Sequence, residues 1–173
     1  MCIRDRHDTV AAVKAALDIP VVANGDVDTP AKALAVLRAT RCDAVMIGRA
    51  AQGRPWIFRE IVHFLETGLD LAPPTPAEMK HHLLEHLVDH HALYGHALGV
   101  RNARKHIGWY VRGLPGGEAF RQWMNRLTDA QEQAVAVAAY FDALARAQDA
   151  PGAPMDRPWD MAGERHRYIP ELA

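Results

Sequence analysis

Apolar positions along the first seventy residues change period several times. Over residues 9–17 they fall at helical spacing, with Val10, Val13 and Leu17 on one face and Asp8 or Thr9 placed to cap the start. Residues 19–23 form instead a short continuous apolar run rich in β-branched side chains, the pattern of a strand covered on both faces. That run stops at Asn24-Gly25-Asp26. Asp28 and Thr29 then offer N-caps, Pro30 suits a first helical turn, and Ala33, Leu34, Val36 and Leu37 continue a helical stripe. A second strand-like run, 44–47, ends on Gly48-Arg49. A third helix is predicted over 55–67 and stops at Gly68. Helix, strand, helix, strand, helix with short connections is the grammar of a parallel α/β sheet. Two strands do not make a stable parallel sheet, so this part is expected to belong to a larger one.

The proline-rich stretch "LAPPTPAE", 71–78, marks the predicted domain boundary. Beyond it the pattern is helical, with helices predicted near 76–94, 97–113, 117–126 and 129–148. The organisation expected is an uninformative start (1–7), an α/β part (8–70), a linker (71–78), a helical domain (79–149) and a disordered or loosely draped tail (150–173). The tail has four prolines and no period. "MCIRDRH" fits neither pattern, and a truncation scar is one reading of it. No internal repeat is present.

Composition narrows this little. The formal net charge is −1, so global charge selects no partner. Two cysteines, Cys2 and Cys42, make no disulfide framework, which fits a reducing cytoplasm. No apolar stretch approaches ~18 residues, so no spanning helix and no membrane association are expected. The N-terminus lacks the apolar core of a signal peptide.

The two loops carry the first candidate chemistry. Asn24-Gly25-Asp26 and Gly48-Arg49 both follow the C-terminal ends of successive parallel strands, where α/β folds bind ligands and where barrels commonly hold a phosphate. Glycine allows close backbone approach, and arginine adds a permanent forked charge. The alternative is that both glycines are ordinary turn residues. Two such loops on successive strands, one with an arginine, favour an anion site.

"IPVVANGDVDTPAKALAVLRATRCDAVMIGRAAQGRPWIF" resembles the last two βα units of the tRNA-dihydrouridine synthases, and "RNARKHIGWY", 101–110, resembles the conserved block of their helical domain. The bacterial B-type enzymes are the nearest in pattern. The resemblance implies the last two units of an incomplete (β/α)8 TIM barrel followed by a C-terminal helical domain. It implies that Asn24, Gly25, Asp26, Gly48 and Arg49 bind the phosphate of FMN, with NADPH as the reductant. The reaction implied is reduction of a tRNA uridine to 5,6-dihydrouridine, by a cytoplasmic enzyme that is monomeric at full length.

The pattern departs in one respect. The family's catalytic cysteine lies on an earlier barrel loop, which this chain does not match. Cys42 falls in a helix-to-strand connection at the opposite end, and Cys2 in the anomalous start. No catalytic residue is therefore assigned, and the chain alone is expected to be inactive. An upstream reading frame of roughly 200 further residues with a cysteine, enough to finish an eight-strand barrel, would make the chain part of a working synthase, whereas an in-frame stop there would leave RNA binding without chemistry as the leading reading.

Residues 99–126 carry six basic residues against one acid, Glu118. On a helix, Val100, Ala103, Ile107, Val111 and Leu114 form an apolar stripe, and Arg101, Arg104, Lys105 and Arg112 lie on another face. Gly108 keeps that face low, as a phosphate backbone requires. Trp109 and Tyr110 are read as core rather than as base-stacking residues. Charge alone would equally suit a solvated face; the resemblance favours RNA contact. In "KHHLLEHLVDHH", 80–91, His82, His86 and His90 share one helical face. With no His-Glu-x-x-His order, a solvated or RNA-facing helix is expected and no metal site is assigned. Two further classes stay open. One is a standalone RNA-binding helical module without catalysis, and the other is a different FMN- or phosphate-binding barrel oxidoreductase.

Overall fold

In the computed structural model, which describes residues 7–149, the chain divides between Pro73 and Pro74 into two units. Residues 1–6 and the tail 150–173 lie outside the described residues, and with them the expectations placed there.

The first unit runs α1 (His7–Ala16), β1 (Val22–Asn24), α2 (Pro30–Thr40), β2 (Ala44–Met46), a 3-10 turn (Arg49–Ala51) and α3 (Ile57–Thr67). Thr29 caps α2, its Oγ1 accepting from Lys32 N at 3.2 Å, and Pro30 opens the first turn where its missing N–H costs nothing. Gly68 ends α3 with φ 74°, the left-handed geometry that a side chain disfavours. The strands pair in parallel with Val22 opposite Ala44, Ala23 opposite Val45 and Asn24 opposite Met46. β1 takes in only Val22 and Ala23 of the apolar run and then Asn24 beyond it. Pro20 has no N–H to give a ladder, and pairing begins two residues later.

This register sorts the side chains cleanly. Ala23 is buried and Val45 half-buried, both in a core with Val27, Ala33, Val36, Cys42, Ile57 and Ile61. Val22 and Met46, one residue off in each strand, are 50% and 53% exposed. The expectation of strands covered on both faces is therefore corrected. Helix packing covers one face, and no third strand pairs with β1 or β2 among the described residues.

The second unit is all helix: α4 (Pro76–Tyr94), α5 (His96–Tyr110), α6 (Gly117–Met124) and α7 (Ala130–Asp149). α4 starts inside the proline-rich stretch on a reciprocal cap. Thr75 Oγ1 accepts from Glu78 N, and Glu78 Oε2 accepts from Thr75 N at 2.8 Å. A turn at Gly95 (φ 71°) sends α5 back along α4. Gly99 permits their close approach, because a Cβ there would come 3.2 Å from the backbone of His91. α5 stops three residues before its predicted end, since Gly113 adopts φ 78°. α7 packs on α4, α5 and α6, burying Val137, Tyr140, Phe141 and Leu144. The Tyr140 ring stacks on Phe120 at 4.5 Å between centroids. Each such fully buried apolar side chain contributes about 1.5–3 kcal/mol.

Candidate functional site

At the strand ends of the first unit, the two loops singled out in the sequence meet. Asn24 ends β1 with its side chain exposed, Asp26 follows at φ 21°, and Arg49 opens the 3-10 turn after β2. Arg49 Nη2 donates to Asp26 Oδ1, so an ion pair ties the two loops together. The Arg49 side chain nevertheless stays 82% exposed. A Cβ built on Gly25 or on Gly48 would meet nothing within 4 Å. Neither glycine is required by the unit's own packing, and both border open space. Arg54, which no sequence pattern singled out, braces the same end. Its Nη1 donates to the Asp28 carbonyl at 3.2 Å and its Nη2 to Glu60 Oε2 at 2.5 Å, joining the loop after β1 to α3. Glu60 is 8% exposed and acquires in Arg54 the partner that a buried carboxylate needs.

In the second unit, α5 and α6 enclose a groove of about 400 Å³. Its lining includes Arg104, Lys105, Trp109, Arg112, Glu118 and Arg121, so four cations face one carboxylate. Glu118 is already engaged. It accepts from Arg121 Nη2 at 2.7 Å and Nε at 3.0 Å, and these bonds hold its carboxyl down at about 2. Gly108 lies under this pair, and a Cβ there would sit 3.1 Å from Arg121 Cδ. The four basic residues expected to touch RNA differ in their surroundings. Lys105 and Arg112 are exposed and line the groove; Arg101 is exposed and lies outside its lining. Arg104 is half-buried and partly structural, its Nη2 donating to the Leu127 carbonyl at 2.9 Å. Tyr110 is core, as expected, while Trp109 is only half-buried and carries Lys105 Nζ 6.0 Å above its ring.

The histidines of α4 are not a single solvated row. His81 is exposed and 3.3 Å from Glu85, whereas His90 is 8% exposed. The hairpin with α5 covers that part of α4, which a linear reading of 80–91 could not include. It also brings His106 against His86 and His90, with ring centroids 4.8 and 5.1 Å away. Burial, reinforced by His86, pushes the His90 imidazole below its usual range, and burial does the same to His106, down to about 4. His90 Nε2 is buried with no hydrogen-bond partner. An orphaned polar atom of this kind costs about 1–3 kcal/mol.

Residues 2–148 match the family described as dihydrouridine synthase (Dus), across both units. The chain belongs to the dihydrouridine synthase family. It is 55% identical over 135 residues to tRNA-dihydrouridine synthase B of Pseudomonas putida, covering 78% of this chain and 40% of that protein. To tRNA-dihydrouridine synthase B of Xanthomonas axonopodis pv. citri it is 57% identical over 148 residues, covering 82% and 45%. To the protein of that name from Klebsiella pneumoniae it is 51% identical over 140 residues, covering 80% and 43%. The chain thus spans less than half the length of these dihydrouridine synthases. Cys42 is buried just before β2, its Sγ donating to the Ala44 carbonyl at 3.2 Å, at the opposite end of the strands from the Asp26–Arg49 pair. No helix among the described residues is long and apolar enough to cross a membrane.

Proposed function

We propose that this chain is the C-terminal part of a flavin-dependent tRNA-dihydrouridine synthase and that its α5–α6 groove seats the tRNA backbone. The observation that carries the reading is the clustering of Arg104, Lys105, Arg112 and Arg121 around one groove in a dihydrouridine synthase chain whose overall charge is −1. A groove of several cations with one neutralised acid matches a polyphosphate strand rather than a small neutral substrate. The target uridine must leave its stack to be reduced.

The first unit would supply the last two βα units of a (β/α)8 barrel. The uncovered sheet face, with Val22, Asn24, Ala44 and Met46 in register, suits the interior of such a barrel. Its strand ends fit an FMN phosphate. Gly25 and Gly48 border open space, and the Arg49 guanidinium is exposed. Asn24 and Gly48 would approach the phosphate and Arg49 would pair with it. Asp26, a carboxylate that would repel the anion directly, would act by orienting Arg49. Held there by Asn24, Gly48 and Arg49, FMN would bring hydride-transfer chemistry to the uridine C5–C6 double bond, with NADPH as the reductant. Cys42, at the opposite end of the strands, is not placed to donate the accompanying proton.

The test is binding of labelled tRNA to the chain across a potassium chloride series. Lys105→Glu and Arg112→Glu should each weaken binding and lower the salt slope by up to about 0.9 for every phosphate no longer neutralised. Arg104 is a poorer choice because it also holds Leu127. An unchanged slope in both variants would overturn the groove as the tRNA site. Incubated with FMN, NADPH and tRNA, the 173-residue chain should form no dihydrouridine; product from this chain alone would overturn its assignment as a partial enzyme.

A further inference from the structure

We propose that His86, His90 and His106 form a binding site for a single transition-metal dication of the zinc class, clamping α4 to α5. His86 and His90 are one helical turn apart on α4, the i, i+4 spacing that directs two imidazoles to one side. His106 arrives from α5 across the hairpin. One ring nitrogen from each of the three lies within 4.8 Å of the others. The ring centroids form a triangle with sides of 4.8, 5.1 and 6.0 Å, and the planes are inclined by 60–82°. Zinc holds histidine nitrogens at 2.0–2.1 Å, which places tetrahedral ligands about 3.3 Å apart. The triad must therefore close by at most about 1.5 Å, within the reach of side-chain rotation.

Packing of the three rings against one another is the competing account, and it leaves one fact unexplained. His90 is more than nine-tenths buried, and its Nε2 has no partner. A metal would give that nitrogen a bond. His86 and His106 are only half-buried, so the triad is not sealed from solvent. Three imidazoles without a carboxylate suit zinc, cobalt, nickel or copper and disfavour magnesium or calcium. Lys105, one residue from His106, opposes the charge of the ion, but its ammonium rests over the Trp109 ring. The site would act as a clamp. It would fix α5, which carries Lys105 and Arg104 into the neighbouring groove, and it stands whether or not that groove binds tRNA.

The 173-residue chain, stripped with EDTA and dialysed, would be titrated with cobalt chloride by visible absorbance and with zinc chloride by calorimetry. One cobalt per chain, with the intense visible bands of a four- or five-coordinate ion that zinc then erases, is expected. His106→Gln and His86→Asn should each weaken zinc binding by at least the roughly 10–100-fold that even an outer-shell loss costs. They lie on different helices and are half-buried, so a folding defect in one leaves the other to decide. His81→Gln and His82→Gln should leave zinc binding unchanged. Absence of saturable one-to-one binding, or equal weakening by His81→Gln, would overturn the site. Neither readout uses tRNA or flavin, so the outcome is independent of the proposed activity.

Discussion

Single side chains decide much of the second unit. Gln133 is fully buried in α7, yet its Nε2 donates to the Val100 carbonyl at 3.1 Å and its Oε1 faces His91 Nε2 at 3.3 Å. One amide therefore satisfies α5 and α4 at once. Gln133→Leu keeps the volume and strands both partners, so it should destabilise the unit by about 1–3 kcal/mol, read as a lower urea midpoint with unchanged slope. Tyr140 is buried as well, and its hydroxyl donates to the Pro115 carbonyl at 2.9 Å. Burial raises its phenol to about 12 from the ordinary 10. A raised folded value means that the stability held by neutral Tyr140 is complete below pH 10 and drains away as the pH climbs towards 12. Tyr140→Phe should cost about 1 kcal/mol at pH 7 and flatten the alkaline fall between pH 10 and 12. A fall as steep as in the parent chain would show that this phenol does not set the alkaline limit.

At the scale of elements, two glycines flank the α5–α6 junction and differ in what surrounds them. Gly117 begins α6, and a Cβ there would stand 2.1 Å from the Val111 carbonyl oxygen. Backbone cannot yield as a side chain can. Gly117→Ala should therefore cost at least the ~1–3 kcal/mol typical of overpacking, lowering the thermal midpoint of the helical unit. Gly108→Ala meets only the flexible Arg121 side chain. It should gain up to about 1 kcal/mol of helix propensity while shifting Arg121 off the groove floor, so stability should hold or rise as tRNA binding falls. A parallel loss of stability in Gly108→Ala would mean that Arg121 is pinned rather than free to move. Together the two outcomes separate a glycine that shapes a surface from one that permits a close chain approach.

For the whole molecule, the unevenness between the two units is the main physical fact. The helical unit closes its core around α7, whereas the α/β unit leaves Val22 and Met46 on an open sheet face and Ile19 and Phe58 also more than half exposed. Open apolar surface beside unpaired strand edges promotes association. The isolated chain should bind an apolar dye such as ANS and show concentration-dependent light scattering, and a longer chain that covers the sheet should lose both. A monodisperse chain that binds no dye would contradict this expectation.

Periodicity, caps and breakers belong to neighbours in sequence, and there the sequence alone was sufficient: Thr29-Pro30, Gly68 and the four helices after the prolines were legible because each is set within a few residues. The two loops of the first unit were legible in the same way, as glycines at strand ends. Pairings between distant positions were not. That Asp26 would take Arg49, that Arg54 would join Asp28 to Glu60, that Gln133 would serve two helices, and that His106 would come up against His86 and His90 each required the chain to return on itself. A side chain's partners lie in space, and only the fold brought these residues within reach of one another.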